Sequence, residues 1–221
     1  MSITNWPIKE RPREKLLARG AKNLSDADLL AIFIRSGTRG KTAVDLAHEL
    51  LKHFGGLRHL LDASEEQICN FRGLGKAKYA ELQATLEISR RYLEEQLMQS
   101  NVISNTKIAH LYLAAKLRNY QHEVFACLFL DNQNHLIHYE ELFHGTINNT
   151  TVYPREIVKI ALQHNTAAVI FAHNHPSGTP TPSQQDKELT NALINILRPL
   201  DIRVLDHIII GSNDYVALGI I

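Results

Sequence analysis

Residues 173–186 read His-Asn-His-Pro-Ser-Gly-Thr-Pro-Thr-Pro-Ser-Gln-Gln-Asp. His173 and His175 stand two residues apart. In extended backbone such side chains point to one face, so both imidazoles can reach one ion. A Pro- and Gly-rich loop then turns the chain, and Asp186 falls one turn into the helix expected from Ser183. Two imidazoles and a carboxylate are a common catalytic zinc set. They leave the fourth tetrahedral position open, whereas structural sites are usually closed by four protein ligands. Twelve histidines in 221 residues give about 0.6 His-x-His pairs by chance, and requiring Ser183 and Asp186 as well lowers that to about one in a thousand. The motif also follows directly on the apolar stretch AAVIFA, and ligands of α/β sheets gather at the carboxyl ends of strands. Ser183 and Asp186 carry a second reading, because Ser-x-x-Asp is also a capping-box-like helix start. The two readings are compatible.

The elements that must hold these residues alternate. Thr106 to Arg118 reads as a helix, and EVFACLFL (residues 123–130) as a buried strand. Asp131 to Asn134 is a turn, and His135 to Phe143 returns as a second strand. Tyr153-Pro154-Arg155-Glu156 opens a helix, with Pro154 suited to its first turn. Ala167 to Ala172 is a short buried strand, Ser183 to Leu197 a helix, and Ile202 to Ile210 and Tyr215 to Leu218 the last strands. Helices mixed with hairpin-linked strands imply an α/β sandwich with a mixed sheet.

The chain ahead of this region looks helical. Ser25 caps a helix whose apolar face is Leu29, Leu30, Ile32, Phe33 and Ile34. Thr42 to Phe54 is amphipathic, with Val44, Leu46, Ala47, Leu50, Leu51 and Phe54 inward, and Gly55-Gly56 ends it. Ser64-Glu65-Glu66-Gln67 is a capping-box start for a short helix through Phe71, and a long helix runs from about Lys76 to Met98. Composition shifts between the parts. Residues 1–100 carry sixteen Lys and Arg against thirteen Asp and Glu, the remainder eight against ten, and nine of the twelve histidines lie in the second part. The polar stretch 96–106 therefore reads as a linker between a helical domain, 1–98, and an α/β domain, 102–221.

With these residues in place, the chain resembles a known family. His173, His175, Ser183 and Asp186 match the JAMM motif, H-x-H-x7-S-x-x-D, of MPN/JAB metalloproteases. HNHPSG, the upstream YPREIVKIALQHN and the N-terminal GLGKAK are similar to bacterial RadC-type proteins over essentially the whole chain. The resemblance implies a cytidine-deaminase-like sandwich with a mixed sheet, behind a small all-α helix-hairpin-helix domain. It implies one zinc per chain held by His173, His175 and Asp186, with Ser183 assisting the carbonyl oxygen. A Glu just before the first core strand is the general base, here Glu123; Glu140 and Glu141 compete with it on spacing alone. The implied activity is hydrolysis of a peptide or isopeptide bond in a peptide or protein substrate, with no Cys or Ser nucleophile.

A second signal lies in Ile68 to Lys78, which resembles a helix-hairpin-helix hairpin. Gly73 and Gly75 permit a tight turn whose N–H groups can hold a phosphate, and Arg72, Lys76 and Lys78 add positive charge. Ser36 to Lys41 reads as a degenerate companion turn. The alternative reading is therefore a DNA repair or recombination accessory protein that binds DNA without sequence preference. The plain reading is a helix connection with glycine caps.

Composition excludes other classes. Hydrophobic residues at 44% and charged residues at 21% exclude wholesale disorder. A net charge of +1 excludes a strongly basic tail. No apolar run approaches the roughly 18 residues that span a bilayer. Cys69 and Cys127 make no disulfide framework, and with no signal peptide in view a cytoplasmic location is expected. His110, His122, His135, His138, His144, His164 and His207 read as surface or packing residues, with His122 and His144 to be placed relative to the site.

Overall fold

Among the described residues a Ser or Thr three residues ahead of an Asp or Gln starts a helix four times, at Ser25, Thr42, Ser64 and Ser183. In each, the hydroxyl accepts the N–H three residues on, and that residue's side chain accepts the cap's own N–H. Two otherwise orphaned donors are satisfied. These starts fix where helices begin; the apolar residues behind them fix what packs.

The computed structural model describes residues 3–145 and 152–220. Short 3-10 turns aside, the first helices are α1 (Pro12–Arg19), α2 (Asp26–Ile34), α3 (Ala43–Phe54), α4 (Leu57–Asp62), α5 (Glu65–Cys69) and α6 (Lys76–Gln99). The chain divides into two compact units inside α6, between Ile88 and Ser89. That division precedes the boundary at residue 98 expected from composition. The polar stretch contains side chains that a linker would leave in water: Leu97 and Val102 are fully buried in the core of the second unit.

The first unit packs Ala27, Leu30, Ala31 and Ile34 of α2 against Ala43, Val44, Leu46, Ala47 and Leu50 of α3. The buried stripe of α2 is therefore centred on two alanines, while Leu29, Ile32 and Phe33 are only partly covered. Small side chains there let the two helices approach closely. Helix α1 escapes a periodicity reading because half of its residues are charged and its apolar ones form no long stripe; Lys15 ties it down through a 2.7 Å ion pair to Asp28, which is largely buried. At the turn before α6, Gly73 has φ +100°, and an added Cβ would lie 2.6 Å from Thr38 Cγ2. The turn that joins α5 to α6 thus packs on the one that joins α2 to α3.

The second unit is α/β. Helix α7 (Thr106–Leu117) leads into β1 (Val124–Leu130) and β2 (Leu136–His144), followed by α8 (Pro154–Gln163), β3 (Ala168–Asn174), α9 (Gln184–Leu197), β4 (Arg203–Ile210) and β5 (Tyr215–Ala217). The sheet order is β2-β1-β3-β4-β5. Among the described strands only β3 and β4 are parallel; every other pair is antiparallel, so the sheet is mixed as expected. All seven residues of β1 and of β3 are buried, which a sheet covered on both faces demands. Val124, Ala126, Leu128 and Leu130 share one core with Ala109, Tyr112, Leu113 and Leu117 of α7. Phe125, Cys127 and Phe129 share the other with Ile157 and Ala161 of α8 and Leu193 and Leu197 of α9. The result is three layers, helix on sheet on helices.

Helix α9 carries Asp186, so its seating sets one corner of the site. Leu193, fully buried beneath it, is the point of attachment. Leu193→Ala is expected to lower stability by about 2–5 kcal/mol, read by urea denaturation.

Candidate metal centre

Strand β3 runs two residues further than the sequence suggests, through His173 and Asn174. His173 stands opposite Phe125 of β1, on the face shared with α8 and α9, and its ring stacks near that of Phe125. His175 follows just past the strand end, its N–H donating to Ile210 O at 2.9 Å. The chain then turns through Gly178, whose φ of +87° and tight approach to Ser212 leave little room for a side chain. Thr179 O lies 2.8 Å from His175 Nδ1. A carbonyl can only accept, so Nδ1 carries a proton, and in the neutral ring it is Nε2 that presents the lone pair.

The loop ends at Ser183, which caps α9. Its N–H and hydroxyl both donate to Asp186 Oδ2, each at 2.6 Å. This cap does more than start a helix. It takes one oxygen of the carboxylate and leaves Oδ1 directed at the histidines, 3.3 Å from His173 Nε2. His175 Nε2 is 3.0 Å from His173 Nε2 and 3.7 Å from Asp186 Oδ2. The ligand atoms of His173, His175 and Asp186 all lie within 4.8 Å of one another. Among the described residues no other group of three His, Cys, Asp or Glu side chains converges in this way. Two imidazole nitrogens and one carboxylate oxygen fit a divalent ion of the zinc type, with a coordination position left over.

Burial and charge act on the site together. Burial by itself would raise the Asp186 carboxyl, but the close approach of His173 and the hydrogen bonds from Ser183 outweigh it and hold the group well below the ordinary carboxylate range. Asp186 is therefore an anion ready for a cation. His207, fully buried on β4, is pushed down to about 3 by burial, with a further contribution from the charge of His173. Its ring is neutral at physiological pH.

Glu123 immediately precedes β1, and Gly145 N donates to its carbonyl at 2.8 Å. Burial raises the pKa of its carboxyl, while the charges of His173 and His175 pull the other way. Those couplings place Glu123 within electrostatic reach of the ligand group. Its two competitors are occupied elsewhere. Glu141 accepts hydrogen bonds from Tyr120 at 2.6 Å and Tyr139 at 3.0 Å. Glu140 stands opposite Cys127 and pairs with His138 at 3.0 Å. His122 and His144 meet each other, ring nitrogens 3.3 Å apart, beside Tyr120. They flank the Glu123 segment and are not part of the ligand group.

Two residues of the site were not legible from the motif. Asn174, between the two ligand histidines, points its side chain to the opposite side and clamps the approach to β1. Its Oδ1 accepts from Val124 N at 2.8 Å, and its Nδ2 donates to Tyr120 O and His122 O. His207 lies 2.8 Å from His173 Nδ1. A histidine in the apolar strand RVLDHIII was the available signal, but its partner depends on the pairing of β3 with β4.

A family model described as RadC-like JAB domain matches residues 103–219, and one described as UPF0758 N-terminal matches residues 3–80. The chain belongs to the RadC-like JAB domain family. Proteins named UPF0758 are similar over nearly the full length. One from Cellvibrio japonicus is 57% identical, over 99% of this chain and 98% of its own. One from Saccharophagus degradans is 56% identical over the same shares. One from Thioalkalivibrio sulfidiphilus is 57% identical over 96% of each.

A tight turn joins α5 to α6 as expected, and two of its cations, Lys76 and Lys78, are engaged. Lys78 Nζ donates to Phe33 O and to Glu81 Oε2, each at 2.9 Å. Lys76, largely exposed, pairs with Glu65 at 3.0 Å. No helix among the described residues is long and apolar enough to cross a membrane.

Removing the Asn174 clamp tests whether it holds the start of β1 independently of the metal-ligand candidates. Asn174→Ala leaves the Val124 N–H buried without its acceptor, so stability is expected to fall by about 1–3 kcal/mol. Chemical denaturation reads the loss, and a metal titration of the same variant is expected to show the ligand group intact.

Proposed function

We propose that this chain is a zinc-dependent hydrolase of peptide or isopeptide bonds. The observation that carries the reading is the convergence of His173 Nε2, His175 Nε2 and Asp186 Oδ1 beside Glu123, at the carboxyl end of a fully buried strand. Bound there, a divalent ion acidifies a water and polarises a substrate carbonyl. Amide hydrolysis needs two further things from the protein: a base for the attacking water and an acid for the departing amine.

Glu123 can serve both. Its carboxylate takes a proton from the attacking water and returns it to the leaving nitrogen, and a pKa raised by burial makes it a better acceptor than an exposed Glu. Ser183 sits exposed at the mouth of the site. In this reading its hydroxyl turns from Asp186 toward the substrate oxygen as negative charge develops there. Donors of that kind contribute roughly 3 kcal/mol in other hydrolases. His173, His175 and Asp186 hold the ion and stay outside the proton transfers. Water attacks directly, so no covalent enzyme intermediate forms.

The accessory role in DNA repair or recombination rests on Gly73, Gly75, Lys76 and Lys78. The engagement of Lys78 with a backbone carbonyl and Glu81 gives that reading no further support, and the hydrolase reading stands ahead of it.

Glu123→Gln separates binding from turnover. It is expected to keep metal affinity and to lose about 10²–10⁴-fold in turnover. Zinc titration and cleavage of a peptide and lysine-isopeptide library check the two halves. Undiminished cleavage by the variant would remove Glu123 from the mechanism.

A further inference from the structure

Thr190, His207 and His173 form a continuous buried chain of hydrogen bonds that leads away from the ligand group. Thr190 is 3% exposed, His207 0% and His173 1%. Thr190 Oγ1 lies 2.6 Å from Asp186 O, one turn back along α9, and 2.6 Å from His207 Nδ1. His207 Nε2 lies 2.8 Å from His173 Nδ1.

The proton positions follow by elimination. A backbone carbonyl has no proton, so at 2.6 Å the Thr190 hydroxyl must donate to Asp186 O. That uses its one hydrogen, so toward His207 it can only accept, and His207 Nδ1 is the protonated nitrogen. The His207 ring is wholly buried and among the described residues its two nitrogens meet only Thr190 and His173, with no carboxylate to pair a second proton; with Nδ1 protonated its Nε2 carries a lone pair, and His173 Nδ1 must donate to it. In the reverse arrangement two oxygens would face each other at 2.6 Å with no proton between them.

We infer that Thr190 and His207 are positioning residues that fix His173 as the Nδ1–H tautomer, so that its Nε2 lone pair faces the ligand group. The inference rests on the metal reading for its purpose but not for its proton count. His175 reaches the same tautomer through the Thr179 carbonyl. The two ligand histidines are therefore set by different means, one by a loop backbone and one by side chains of α9 and β4. The chain also links both ends of the ligand set, because the helix turn that carries Asp186 is the one Thr190 bonds to. Partners of this kind orient a ligand imidazole and raise its basicity, and losing one costs about 10–100-fold in metal affinity.

The test is long-range ¹⁵N–¹H correlation of the histidine rings in the full-length chain, metal-free and with zinc added, at about pH 8, above the ordinary histidine range. Nδ1–H signatures are expected for His173 and His207. Thr190→Val is expected to weaken zinc binding about 10–100-fold in a chelator competition, and Thr190→Ser, which keeps the hydroxyl, to restore it. An Nε2–H tautomer for His173 in the metal-free chain would overturn the inference, even if Thr190→Val failed to fold. So would a folded Thr190→Val that binds zinc as tightly as the parent. A parent chain that takes up no zinc would instead defeat the proposed function, and the metal-free spectrum would still decide the tautomer.

Discussion

Holding two imidazole nitrogens and a carboxylate oxygen within 4.8 Å of one another, largely out of water, is the constraint on which the second unit is built. Each group comes from a different kind of local structure. His173 is fixed by a strand buried on both faces, His175 by a loop carbonyl, and Asp186 by the first turn of a helix. Without a cation such a cluster gains little. The carboxylate loses hydration on burial, and the imidazoles present lone pairs to one another. Three layers of packing around the sheet supply the rigidity that keeps the groups together, and a bound ion would return part of that cost as folding free energy.

The cap at Ser183 shows how one local device can serve two ends. Ser25, Thr42 and Ser64 start helices by the same reciprocal bonds. At Ser183 the carboxylate of the pair also meets two histidines, because the helix starts where β3 ends. Satisfying the cap with Oδ2 orients Oδ1. The helix-start reading of Ser-x-x-Asp is thus met by a geometry that also suits the ligand reading.

Local patterns account for what was legible in the sequence. The β-strands and most helices of both units follow from apolar periodicity, capping residues and turn residues, and the grouping of His173, His175 and Asp186 follows from spacing within fourteen residues. Features that depend on partners far along the chain were not legible. Helix α1 is held by an ion pair from Lys15 to Asp28 rather than by a stripe of its own. The division between units falls inside a continuous helix, where no turn residue marks it. Asn174 acquires its role only when β1 lies beside β3, and His207 only when β4 does. The partners of Glu140 and Glu141, the competitors of Glu123 on spacing, became visible only with the register of β1 and β2.

The central claim is that this cluster holds a metal ion, and elemental analysis tests it most directly. The parent chain and His173→Ala would be purified without chelator and offered zinc under the same conditions. The account predicts about one zinc per parent chain and little in the variant. A parent that stays metal-free, or a folded variant that retains the full complement, would contradict it.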